Sequence, residues 1–281
     1  MCELCDKYGE GNYWYLNPKS YARTMYKKPK EEDEPSLGMA DFEIVTLPRH
    51  LKPMIDKKDE SPEEFKSAVD GLSAIIQQVN PGQVIAVKDA KKIVEIAQPI
   101  AKINCICRFM TRATLEDRGH RSCLALGLGM LKWEIYPERY KGGIEFISVD
   151  EAKKHIDFWV KKGMVPTVMS FGKAIGGAPY IGGLCLCDYP DCLAIRAVND
   201  YGVKMLFKGE YVAKVDYSKC NGCGLCIQKC QFGAIKKEVT INKINIDMFR
   251  CFGCGLCELA CPKNAIQLIE RSSFPALEDE W

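Results

Sequence analysis

Between about Ser36 and Gly209, short apolar runs alternate with stretches of helical periodicity, which predicts an α/β or α+β domain over residues 36–209. Val84–Val87 is an apolar run of strand length. Asp89–Gln98 follows with Ile93, Val94, Ile96 and Ala97 spaced along one helix face, and a second apolar run reaches Cys105. Ile144–Ile147 is strand-like. Ser148 with Glu151 three residues later forms a capping box, predicting a helix through Lys162 that Gly163 ends. Met164–Ser170 predicts another strand. The glycine-rich stretch after it, FGKAIGGAPYIGG, reads either as backbone that lets a cofactor approach closely or as an ordinary flexible loop.

Upstream, residues 1–35 form an arm and linker. Tyr8, Tyr13, Trp14, Tyr15, Tyr21 and Tyr26 suit an arm that docks on something, and KKPKEEDEP, Lys27 to Pro35, reads as a solvated linker. The chain has 281 residues, and its net charge of +2 gives no reason to expect nucleic acid. No window approaches the roughly 18 consecutive apolar residues of a membrane helix, so no membrane insertion is expected.

Cysteine changes the picture, because there are 16. The N-terminal MCELCDKYGEG has no apolar core of a secretory signal, so a cytoplasmic, reducing location is expected. Thiols there are ligands, catalysts or buried hydrophobes.

Half of them obey one rule. A shift of 31 residues superposes CNGCGLCIQKC at Cys220 on CFGCGLCELAC at Cys251, so that Cys220, Cys223, Cys226 and Cys230 match Cys251, Cys254, Cys257 and Cys261. Each half has the C-x2-C-x2-C-x3-C spacing that supplies soft thiolates to iron-sulfur clusters. Gly222, Gly224, Gly253 and Gly255 let backbone wrap closely. Zinc is the structural alternative, since C-x2-C pairs also bind it.

Residues 210–281, and Val215 to Arg271 in particular, resemble the bacterial two-cluster ferredoxins. The resemblance implies a dicluster-ferredoxin fold, two 4Fe-4S clusters and crossed ligation. One cluster would take Cys220, Cys223, Cys226 and Cys261, and the other Cys251, Cys254, Cys257 and Cys230. The family usually has proline after the fourth cysteine. Pro262 fits, whereas Gln231 departs from the pattern, with consequences expected for solvent access and potential.

Cys105 and Cys107 form C-x-C before Arg108, Cys123 follows a basic stretch, and Cys185, Cys187 and Cys192 form C-x-C-x4-C. With the FISVDEA and YVAKVD segments, this order resembles a group of anaerobe iron-sulfur proteins. There a C-x-C-R segment, a single cysteine and a cysteine-rich segment precede a two-cluster ferredoxin tail. Asp188 stands where that group often has a second adjacent cysteine. These six thiols form a pool from which four would hold a third iron-sulfur cluster; zinc and buried free thiols are the alternatives. Arg108, Arg112 and Arg121 would offset cluster charge, or are surface arginines. Cys2 and Cys5 are spaced as half of a metal site or belong to a loose terminus. His50, His120 and His155 stand alone, with His155 expected on a helix surface.

No P-loop, dinucleotide fingerprint or nucleophile-base signature is present, and Gly127-Leu128-Gly129 is too weak to count. The leading expectation is an electron-transfer subunit of an anaerobic oxidoreductase, linking a flavin- or metal-containing partner subunit to a soluble ferredoxin-like carrier. The acidic LEDEW tail and the aromatic arm are candidate contacts. The alternatives are an enzyme reducing a small substrate at a third cluster or a bound cofactor, and a maturation or scaffold protein.

Overall fold

The computed structural model describes residues 2–21, 56–79, 82–105, 107–108, 121–127, 144–173 and 179–277. Lys27–Pro35, His50, Arg112, His120, the stretch after Gly127 and the last four residues lie outside the described residues. In chain order the helices are α1 Glu3–Tyr8, α2 Pro62–Val79, α3 Val87–Ile96, α4 Val149–Lys161, α5 Leu193–Tyr201, α6 Leu225–Lys229 and α7 Leu256–Leu259. The strands are β1 Gly82–Val84, β2 Ile100–Ile103, β3 Cys123–Leu126, β4 Glu145–Ile147, β5 Val165–Lys173, β6 Pro179–Cys187, β7 Leu206–Phe207, β8 Tyr211–Val215, β9 Ile235–Glu238, β10 Lys243–Ile246 and β11 Ile266–Glu270.

Strands β1 to β7 form one sheet in the order β4-β2-β3-β6-β5-β1-β7. Every neighbouring pair is antiparallel except β1 with β7. The alternation of strands and helices therefore does not build a doubly wound parallel sheet. Two local expectations shift. The apolar run Val84–Val87 supplies only the end of β1, because α3 already begins at Val87. The strand expected to stop at Ser170 runs on to Lys173 and pairs with β6, so the flanks of the glycine-rich stretch are the arms of a hairpin. The capping box forms as expected: the Ser148 hydroxyl accepts from the Glu151 amide at 3.3 Å, and the Glu151 carboxylate accepts from the Ser148 amide at 2.9 Å.

One face of the sheet carries Leu124, Leu126, Leu184 and Leu186 into the main core with Ile93 of α3 and Ile156 of α4. Each such buried aliphatic contributes about 1.5–3 kcal/mol. The opposite face carries a smaller cluster of Ile103, Cys123 and Ala125, against which Cys105 and Cys185 pack. The aromatic arm docks on its own chain. Trp14 and Tyr15 are fully buried, the Trp14 indole N–H donates to Gln83 Oε1 at 2.6 Å, and the Tyr15 hydroxyl donates to Asp89 at 3.3 Å.

The C-terminal region adds two small antiparallel pairs, β10 with β9 and β11 with β8. It shares the main core through Phe232, Phe252 and Leu256. Phe232 and Phe252 stack with centroids 3.9 Å apart.

Candidate metal centres

The duplicated run builds two pockets, and their linings cross the repeat. Cys230, Cys251, Cys254 and Cys257 line one of about 350 Å³; Cys220, Cys223, Cys226 and Cys261 line one of about 290 Å³. The other lining is mainly apolar, with Ala213, Ile235, Phe252 and Leu256 at the first and Ile244, Ala265 and Ile266 at the second. Gly222, Gly224, Gly253 and Gly255 all have positive φ, between +69° and +81°. A Cβ on Gly253 would sit 2.1 Å from the Tyr211 carbonyl oxygen, so the wrap requires glycine there.

The repeat extends to fine structure. Asp216 and Asp247, 31 residues apart, each accept a bond from the amide two residues on, at 2.9 and 3.0 Å, setting the turn before the first cysteine. Ala234 N–H donates to Cys230 Sγ and Ala265 N–H to Cys261 Sγ, both at 3.3 Å, while Ala213 N–H donates to Cys251 Sγ at 3.4 Å. Such bonds to ligand sulfur are a lever on cluster potential. Burial pushes the Cys226 thiol up to about 11 and Cys254 to about 12, and raises Cys251 and Cys257 as well. Loading metal here releases protons.

Residues 219–265 match the family model of the 4Fe-4S dicluster domain. The dicluster domain accommodates two 4Fe-4S clusters, and its cysteines, small apolar pockets and sulfur-directed amides fit that cofactor. Comparison with curated proteins returned no match. Among the described residues no helix is long and apolar enough to cross a membrane.

Outside that domain, the six remaining thiols of the sheet region meet in a closed ring. Their thiols interact pairwise, Cys105 with Cys107 and Cys123, Cys107 with Cys192, Cys192 with Cys187, Cys187 with Cys185, and Cys185 with Cys123, all of them free cysteines. Strand register explains half of this. Ile103 pairs with Cys123, Leu124 pairs with Leu184 and so sets Cys123 beside Cys185, and Cys185 pairs with Thr167. Cys192 arrives as the N-cap of α5. Hydrogen bonds from neighbouring thiols hold Cys105 and Cys192 well below the usual thiol range, while hydrogen bonding to other ring thiols and desolvation raise Cys107, Cys123 and Cys187. The Thr167 hydroxyl, on the same strand face as Cys185, is buried with no protein partner.

Arg108 is no surface arginine. It is 3% exposed, donates from Nε to Asp191 at 2.9 Å and from a terminal nitrogen to Asp188 at 2.5 Å, and thereby locks the C-x-C-R segment onto the turn between Cys187 and Cys192. Asp188, half-buried, and Asp191, buried, are thus the two jaws of a clamp on Arg108. Arg121 pairs instead with Glu145 at 3.7 Å. His155 is half-buried rather than on the surface. Its Nε2 lies 3.3 Å from the Ser122 carbonyl, and burial pushes the imidazole down to about 4.

Ring and dicluster domain adjoin. Gln231, the residue after Cys230, accepts at its side-chain carbonyl from the Tyr189 amide at 2.5 Å and donates through Nε2 to the Gly163 carbonyl at 2.5 Å. Asn199 Nδ2 donates to the Gln231 backbone carbonyl at 2.7 Å.

Cys2 and Cys5 are buried at 3% and 2% and stand apart from the ring. Their neighbours are Glu210, which accepts from Cys5 Sγ at 2.9 Å, and Gln83. Sequence reasoning missed both partners, since an isolated glutamate before a strand and a glutamine within one carry no local signal. The separation of donor atoms divides the centres. Cys2, Cys5 and Glu210 place one donor each within 4.8 Å of one another, a closeness that no three thiols of the ring or of either dicluster pocket reach among the described residues.

Proposed function

We propose that this chain is an iron-sulfur electron-transfer subunit of a larger oxidoreductase and that the six-thiol ring holds a third iron-sulfur cluster beside the two of the dicluster domain. The observation that carries this reading is the ring itself. Six thiols from three separate sequence groups, three buried and three half-buried, close on one another, more than one tetrahedral ion takes, and among the described residues no three of them lie mutually within 4.8 Å. Thr167 offers an otherwise unused hydroxyl to such a cluster, and Arg108 places a fixed positive charge beside Cys105. Bound clusters supply one-electron chemistry at potentials the protein tunes.

Within the dicluster domain, the ligand sets follow the pocket linings: Cys230, Cys251, Cys254 and Cys257 for one cluster, Cys220, Cys223, Cys226 and Cys261 for the other. The first set adjoins the ring through Gln231, and the second reaches the surface at the exposed Cys223. That order suits passage between a buried site and an outside carrier. Six thiols exceed the four that a cubane takes, so the ring lacks the thiolate shortage that would favour an open iron and substrate reduction.

Iron and sulfide quantitation on anaerobically purified protein tests the cluster count. About twelve irons per chain are expected; about eight, the sum for two 4Fe-4S clusters, would overturn the third centre. Untagged isolation from native cells tests the subunit reading. A flavin- or metal-containing protein is expected to co-purify, and a strictly monomeric species that turns over a small molecule would sink it.

A further inference from the structure

Cys2, Cys5 and Glu210 form a compact buried donor set that the electron-transfer reading leaves unused. Cys2 Sγ lies 3.2 Å from Cys5 Sγ, and Cys5 Sγ lies 2.9 Å from Glu210 Oε1. All three residues are at most 3% exposed. Two tetrahedral zinc–sulfur bonds of about 2.3 Å would separate their sulfurs by roughly 3.8 Å, so these donors need only a small outward adjustment to share one ion.

The surroundings are arranged for it. Gln83 is fully buried, and its orientation is forced: the Trp14 indole N–H must meet an acceptor, so Gln83 Oε1 takes that bond and Nε2 faces the donor set. From there Nε2 reaches Glu210 Oε1 at 3.2 Å, the Lys208 carbonyl at 3.1 Å and Cys2 Sγ at 3.9 Å. This is the outer support that fixes a metal-binding carboxylate. Glu210 makes no ion pair among the described residues. The nearby Arg271 guanidinium is turned to the carbonyls of Gly209, Tyr211 and Cys251. Among the described residues, two thiols and a carboxyl share this buried site with no cationic side chain donating to them, an arrangement that favours a cation.

We infer that Cys2, Cys5 and Glu210 bind a single zinc-class divalent ion, separate from the iron centres. Two thiolates and one carboxylate match the borderline-soft character of zinc, and three protein ligands leave one position for water or a small exogenous ligand. The ion would clip the first turn of the chain to the residue that precedes β8, so its role is to fasten the arm across the seam between the sheet and the dicluster domain. No redox change at the ion is involved.

The test uses the full chain, purified anaerobically, with zinc and iron measured by mass spectrometry before and after exposure to one equivalent of zinc chloride. About one zinc per chain is expected, with a zinc absorption-edge spectrum showing two sulfur and two lighter neighbours. Glu210→Gln, which keeps the side-chain volume, and Cys5→Ser are each expected to lose the zinc and keep the dicluster iron. The inference is overturned by wild-type protein that neither contains nor takes up zinc, by a four-sulfur spectrum, by zinc retained in both variants, or by a Cys2–Cys5 disulfide in the anaerobically isolated chain. Iron content reports on the ring independently, so failure here leaves the three-cluster reading standing, and the converse.

Discussion

The Tyr189 amide donates to the side-chain carbonyl of Gln231 at 2.5 Å, joining the turn that follows Cys187 to the residue that follows Cys230. Gln231 also bonds Gly163, so a single side chain stitches the six-thiol ring to a dicluster pocket. Gln231→Pro restores the residue usual after the fourth cysteine and removes both bonds. It is expected to destabilise the protein by about 1–3 kcal/mol, read as a shift in urea midpoint, with the iron of the dicluster domain retained. An unchanged midpoint would show that the stitch contributes nothing.

Arg108 stands between Asp188 and Asp191 in a largely desolvated site. Arg108→Met leaves those carboxylates uncompensated and is expected to destabilise by about 3–5 kcal/mol. Iron beyond the dicluster complement should be lost with it, because the clamp closes the ring. Arg108→Lys keeps the charge without the fork that reaches both partners, and is expected to fall between wild type and Arg108→Met in both readouts.

His155 predicts a pH dependence of known sign. Burial holds its imidazole neutral down to about 4, against an ordinary value of 6.5, so below pH 6.5 the unfolded chain binds a proton that the folded chain does not. The contribution of neutral His155 is complete above pH 6.5 and declines as pH falls toward 4. In His155→Gln that loss is absent. The stability difference between the two proteins should change by up to about 1.4 kcal/mol per pH unit in this window, and chemical denaturation at several pH values measures it.

Gly224 and Gly253 occupy the second and first glycine positions of the two halves, yet they differ in tolerance. A Cβ on Gly224 meets nothing closer than 3.9 Å, whereas on Gly253 it would meet the Tyr211 carbonyl oxygen at 2.1 Å. Gly224→Ala is expected to cost about 1–2 kcal/mol from its positive φ alone. Gly253→Ala must also displace the backbone that seats Cys251, and should reduce the iron content of the purified protein while Gly224→Ala does not.

Legibility in the sequence followed the range of each interaction. The dicluster cysteines, the positive-φ glycines and the Ser148–Glu151 box were readable because their partners lie within a few residues or a fixed repeat. The six ring cysteines could be named as a pool, but their closure depends on strand register between Cys123 and Cys185 and on an ion pair spanning Arg108 to Asp191. Gln83 and Glu210 were invisible, being 81 and 208 residues from Cys2 with no local pattern to mark them. Antiparallel pairing was likewise hidden, since strand and helix alternation leaves direction undetermined. His155 looked superficial because helix periodicity does not reveal what the Ser122 segment lays over it.

The arm of residues 2–21 holds Gln83 through Trp14 and Glu210 through Cys5, one on each side of the seam at Lys208 and Gly209. Tunnelling rates decay steeply with separation, so a seam free to breathe would smear the interval between successive electron hops. The arm's bonds to Gln83 and Glu210 tie the two sides of that seam together. Under the proposed three-cluster reading, the aromatic arm would serve as the spacer between the sheet and the dicluster domain.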